Sequence, residues 1–238
     1  MGRAFEYRKA RKMKRWASMA KAFTRIGREI SIAVKEGGPE PDYNPRLRLA
    51  IQNAKVANMP KANVENAIKK AVSKDAEDFQ EIVYEGYAPH GIALVVETAT
   101  NNPIRTVANV RHIFSKYGGN LSTSGSVDYM FTRKAVFKID AEGQDQEELE
   151  FGLIDFGLEE LSQEDDMLVL QCAFEDFGSL QKGLEEQGLE VKEAELVRLP
   201  GHTKELSDEE VEEVIKLIEK MEEDEDVVNV FHNMDMED

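Results

Sequence analysis

Hydrolytic, redox or metal chemistry in this 238-residue chain would have to come from four histidines, one cysteine and 47 Asp/Glu. Their spacing builds none of it. His90, His112, His202 and His232 are scattered, with no HExxH and no pair spaced to share a metal. Cys172 continues the alternation Leu168, Leu170, Cys172, Phe174, which puts it on the apolar face of a strand, where a thiol ionises poorly. No GxxxxGK[ST] or GxGxxG phosphate loop occurs. Gly118-Gly119-Asn120 reads as a helix end and Ser124-Gly125-Ser126 as a turn. The acidic runs Asp165-Asp166 and Glu222-Glu223-Asp224 read as solvated loops or helix ends. No enzyme activity, metal, cofactor or small-molecule substrate is expected.

What the chain does concentrate is positive charge. Arg8, Lys9, Arg11, Lys12, Lys14 and Arg15 place six cations in eight residues, flanked by Tyr7 and Trp16. Arg pairs phosphate bidentately, Lys supplies a mobile point charge, and an aromatic ring between them can stack on an unpaired base. The formal net charge of −17 hides this concentration. Residues 1–74 hold 18 Lys/Arg against 6 Asp/Glu, a net of +12, while residues 75–238 carry a net of −29. Such asymmetry predicts a basic part that meets nucleic acid, joined to an acidic body. The Debye length is about 8 Å at physiological salt, so distant carboxylates would hardly mask a basic face. The candidate phosphate contacts are those six cations with Lys21, Arg25, Arg28, Lys35, Arg46, Arg48, Lys55 and Lys61. No base-reading motif accompanies them, which predicts affinity rather than sequence choice.

The elements that position these cations are helical. From Lys12 to Lys35 there is no Pro and one Gly. At 100° per residue Met19, Phe23, Ile26, Ile30, Ala33 and Val34 form one stripe. Lys14, Lys21, Arg25, Arg28 and Lys35 fall opposite, with Ile32 the one apolar intruder. On this reading, reversing Lys21, Arg25 and Arg28 to Glu leaves the fold intact. Gly37-Gly38-Pro39 stops the helix. Asn44 caps a second helix with Pro45 at its first position, and Asn63 is expected to cap a third. Asp75-Ala76-Glu77-Asp78 reads as a hinge.

Beyond it the period changes to alternating strands and helices. Strands are predicted near 80–87, 92–98, 127–131, 135–139, 167–174, 189–199 and 227–231. Helices are predicted from Pro103 and near 146–156, 177–187 and 208–221, the last with a capping box at Ser207 and Glu210. This is an α+β chain: a three-helix basic bundle followed by two small α/β sandwiches. No run approaches 18 apolar residues, no secretory start is present, and the single Cys fits a reducing compartment. A cytoplasmic monomer is expected, away from membranes.

Longer motifs carry a resemblance. Phe23-Thr24-Arg25, Arg28-Glu29-Ile30, the run Asn44 to Ile51 and Ala57-Asn58-Met59-Pro60-Lys61 resemble the YebC/PmpR family. So do Tyr84-Glu85-Gly86-Tyr87, Arg105-Thr106-Val107, Phe114-Ser115-Lys116, Gly118-Gly119-Asn120-Leu121, Gly125-Ser126-Val127, Met130-Phe131 and Asp226-Val227-Val228-Asn229-Val230. The chain departs from the family pattern at Gly2–Tyr7 and at Ala88-Pro89-His90-Gly91. The resemblance implies three domains, the third inserted into the second. It places 1–76 in the helical domain, 77–132 plus 205–238 in a ferredoxin-like middle domain, and 133–204 in a ferredoxin-like inserted one. It implies a DNA-binding transcriptional regulator, or a factor acting on translation at ribosomal RNA, without enzyme activity.

Overall fold

The structure, a computed structural model, describes residues 3–74 and 76–235, with side chains described from Ala20 onward. Three helices come first: α1 (Arg3–Gly37), α2 (Pro45–Val56) and α3 (Lys61–Ala71). Their mutual core follows the helical period. Ile26, Ile30, Ala33 and Val34 of α1 meet Leu47, Ala50 and Ala54 of α2 and Val64 of α3. Ile32 is buried as well, so the apolar arc of α1 is wider than one stripe. Asn44 holds the α1–α2 corner. Its Oδ1 accepts from Leu47 N at 3.0 Å, and its Nδ2 donates to Ala33 O at 2.7 Å and Gly38 O at 2.8 Å. Asn63 does not cap α3. Pro60 stands at that N-cap, and Asn63 N donates to the Pro60 carbonyl one turn inside.

Two four-stranded sheets follow. The first has the order β3-β1-β2-β8, built from β1 (Gln80–Tyr87), β2 (Ala93–Thr100), β3 (Asn120–Leu121) and β8 (Val227–His232). Helix α4 (Pro103–Lys116) follows β2 and helix α7 (Asp208–Glu222) precedes β8; of the capping box predicted for α7 one half forms, the Glu210 carboxylate accepting from Ser207 N at 2.9 Å and from Ser207 Oγ at 3.0 Å. Gly86 is required where β1 meets β3: a Cβ there would stand 2.4 Å from Asn120 O and 2.9 Å from the Phe114 ring. The second sheet is antiparallel with the order β5-β6-β4-β7. Its strands are β4 (Phe131–Asp140), β5 (Leu158–Glu164), β6 (Met167–Ala173) and β7 (Val191–Pro200). Helices α5 (Gln146–Leu153) and α6 (Phe177–Glu186) accompany it, and Phe137 of β4 stacks on Phe177 with ring centroids 5.0 Å apart. Cys172, opposite Ala135 in the register, is fully buried, and burial pushes its thiol pKa up to about 12.

Two sheet predictions need correction. Residues 127–131 do not form a strand. The Glu85 carboxylate accepts from the backbone N–H of Gly125 (2.6 Å), Val127 (2.7 Å) and Asp128 (2.8 Å), so these donors are unavailable to a sheet ladder. A 3-10 turn, Asp128–Met130, forms instead and β4 begins at Phe131. Strand β5 was absent from the sequence reading. Its residues Leu-Glu-Glu-Leu-Ser-Gln-Glu have little β-propensity, and it exists as a charged edge strand because β6 supplies the ladder.

The chain divides into two compact units. One holds α1, α2 and α3 with the chain up to Ile82, together with Thr98–Pro103 and Glu223–Val228. The other holds Val83–Glu97, Ile104–Glu222 and the residues from Asn229 on.

Candidate nucleic-acid interface

Arg8, Lys9, Arg11, Lys12, Lys14 and Arg15 are on α1, and their side chains lie outside the described residues. The other eight candidates separate into three groups.

The first group meets an acidic segment of the same unit. Arg28 Nη1 lies 3.0 Å from Asp226 Oδ1 and 3.1 Å from the Ala99 carbonyl, also reaches Glu225 O, and its guanidinium sits 5.4 Å from the centre of the Phe79 ring. The two ion-pair side chains are only 12% and 3% exposed. Asp226 is further engaged by Thr100 Oγ1 at 3.3 Å. A freely exposed Arg28 is therefore corrected: the helical face is as predicted, but residues some two hundred positions away cover it. Arg28→Glu would put two carboxylates together in a closed site, so the triple reversal would not leave the fold intact. Lys21 remains exposed while Nζ donates to Glu223 O at 3.3 Å. Arg25 is half-buried beside a shallow hollow lined by Ala20, Lys21, Thr24, Asp224 and Glu225.

The second group stays near the surface but is paired. Exposed Lys35 pairs with Asp78. Arg46 pairs with Glu36 at 2.8 Å and with Glu81. Burial alone would lower the Arg46 pKa; the bonds and fields of Glu81 and Glu36 outweigh it and raise the value, so the guanidinium stays charged. Half-buried Arg48 donates to Pro41 O at 2.9 Å and Asp42 O at 3.0 Å, tying the loop before α2 to the helix. The acidic stretch read as a hinge also bonds here, through Lys70 to Glu77 at 2.8 Å and Asn101 to Glu77 at 3.0 Å.

The third group is open. Lys55 is exposed at the end of α2, and Lys61 on α3 is 91% exposed with Glu65 no nearer than 4.0 Å. The structure thus gathers Lys21, Arg25 and Arg28 against Glu223–Asp226 and leaves Lys55 and Lys61 on two other helices. The sequence reading missed Asp226, Glu223 and Phe79 as partners, because no local pattern links positions so far apart.

Comparison with known proteins gives these residues a family. Residues 3–74 match the TACO1/YebC protein N-terminal domain, and residues 79–234 match the TACO1/YebC second and third domain. The chain belongs to the TACO1/YebC family. Its relatives include a probable transcriptional regulatory protein of Flavobacterium psychrophilum, 56% identical over 98% of this chain and 99% of that protein. One from Porphyromonas gingivalis is 56% identical over 100% and 99%. A crystal structure of a conserved hypothetical protein from Aquifex aeolicus is similar at a TM-score of 0.79 and 39% identity, covering 91% of this chain and 90% of that one. Both family boundaries agree with the change from helices to sheets between α3 and β1. In this TACO1/YebC chain no described helix is long and apolar enough to cross a membrane. Among the described residues no group of three or more His, Cys, Asp or Glu is placed to hold a metal ion.

Proposed function

We propose that this chain is a non-enzymatic, cytoplasmic regulator of gene expression that binds nucleic acid, DNA in the first instance, through its basic N-terminal helices. One observation carries the reading: the net charge of +12 on residues 1–74 against −29 on the remainder. Relatives named as probable transcriptional regulatory proteins support the regulatory part. In this reading Arg28 is a structural cation. Contact with phosphate falls to the Arg8–Arg15 cluster, with Lys21, Lys55 and Lys61 beside it. The second sheet with α5 and α6 is read as a ferredoxin-like domain inserted into the first.

Fluorescence anisotropy of the full chain on a labelled 20-base-pair DNA duplex tests the proposal. Engagement of 6–10 phosphates predicts a loss of roughly 10³–10⁵ in affinity between 50 and 200 mM salt. The variant Lys12→Glu/Lys14→Glu/Arg15→Glu should bind much more weakly with a shallower salt slope. A flat salt response, or an unchanged variant, would refute the reading.

A further inference from the structure

Helix α4 lies in the acidic part of the chain yet carries no acid. From Thr98 to Val127 thirty residues pass without one Asp or Glu. A quarter of residues 75–238 are acidic, so a stretch of that length would ordinarily hold seven or eight. The gap is centred on α4, which has a buried side and an open side, with Ile104, 82% exposed, the large apolar residue on the open one. Thr106, Val110 and Phe114 are buried. Arg105, Asn109, Arg111, His112, Ser115 and Lys116 are all exposed. At 100° per residue Arg105, Asn109, His112 and Lys116 follow one line (i, i+4, i+7, i+11), with Arg111 and Ser115 on the adjoining line. Every one of these side chains can donate a hydrogen bond, and none is anionic.

Six of the twelve Lys/Arg in residues 75–238 are neutralised within their own unit. Lys134, Lys138, Lys182, Lys192, Arg198 and Lys216 each form an ion pair with a carboxylate of the same unit. Among the described residues Arg111 and Lys116 pair with no carboxylate; Lys116 lies over the Tyr117 ring, 5.6 Å from its centre. In a chain so rich in acid, two unpaired cations on a carboxylate-free helix face have their charge uncompensated from within. From Arg105 to Lys116 the stripe spans about 16 Å at 1.5 Å per residue. That length is enough for more than one phosphate of a strand to lie along it.

We propose that the outward face of α4 is a second nucleic-acid contact, holding the phosphate backbone through Arg111 and Lys116, with Asn109, His112 and Ser115 as additional donors. It rests on the nucleic-acid reading of the basic helices and extends the footprint to the acidic part of the molecule.

The test uses the full-length chain, with Arg111→Glu/Lys116→Glu compared with Lys12→Glu/Lys14→Glu/Arg15→Glu. Binding is read by anisotropy on a 20-nucleotide single-stranded RNA and on a 20-base-pair DNA duplex, over 50–200 mM salt. The α4 variant should lose at least about tenfold in affinity at 100 mM salt, and its log–log salt slope should fall by roughly 1.4–1.8 for two lost contacts. Loss on RNA alone, or on the duplex alone, identifies the strand held. Arg111→Lys should retain binding, and a circular-dichroism melt checks that each variant is folded. If Arg111→Glu/Lys116→Glu does not fold, Arg111→Gln/Lys116→Gln is judged by the same loss. Wild-type affinity and slope in the folded α4 variant, while the α1 variant loses binding, would overturn this inference and leave the reading of the basic helices standing. Failure of the wild-type chain to bind either probe would overturn both.

Discussion

Arg28 on α1 and Arg111 on α4 both stand on the polar side of an amphipathic helix, but they meet opposite surroundings. Arg28 is enclosed by Asp226, two carbonyls and the Phe79 ring. Arg111 is exposed and among the described residues pairs with no carboxylate. The difference teaches that helical phase decides only which side chains leave their own helix. Whether water or another segment receives them is settled by tertiary structure. Charge density alone would rank the Arg28 region first as a ligand surface, whereas accessibility favours the region of Arg111.

Removing the enclosed partner should break this comparison most severely. Asp226→Ala strands the Arg28 guanidinium in a closed site and should cost about 3–5 kcal/mol in urea unfolding. A cost under 1 kcal/mol would mean that Arg28 is effectively solvated and no different from Arg111. Next comes Glu85, an enclosed anion. Burial alone would raise its pKa, but the N–H groups of Val127, Gly125 and Asp128, with the charge of Arg198, lower it below the ordinary value. A group lowered on folding contributes stability that is complete above its unfolded pKa and is lost as pH falls through the folded one. Glu85→Gln should therefore cost about 1–3 kcal/mol at pH 7. Between pH 5 and 3 its stability should fall less steeply than that of the parent chain, and parallel acid limbs would count against the clasp. The smallest effect belongs to the open cation: Arg111→Ala should stay within about 0.5 kcal/mol of the parent in thermal melts. A larger loss would show that Arg111 is a structural residue too.

Much of the architecture was legible beforehand, for physical reasons that also explain the failures. The bundle core was readable because Ile26, Ile30, Ala33 and Val34 recur at the helical period, and the α2 start because Asn44-Pro45 carries its cap chemistry in the sequence. Strand β6 was readable from the alternation that buries Leu168, Leu170 and Cys172. Strand β5 was not, since an edge strand of Leu and Glu owes its conformation to β6. Nor was the turn after Val127, because Glu85, some forty residues earlier, supplies the acceptors. In the interface the sign of the charge was legible and its accessibility was not. Nothing near Arg28 announces Asp226, and nothing in the net charge of the acidic part singles out α4.

The Arg28–Asp226 pair also has a consequence in time. Its two members are separated by 198 positions. Synthesis at roughly 5–20 residues per second leaves a growing chain with its arginine made and its aspartate unmade for about ten to forty seconds. During that interval the leading helices carry one more uncovered cation than the finished molecule does. Until Asp226 is made, a nascent chain that closes its first helices must leave that guanidinium to water or to another anion.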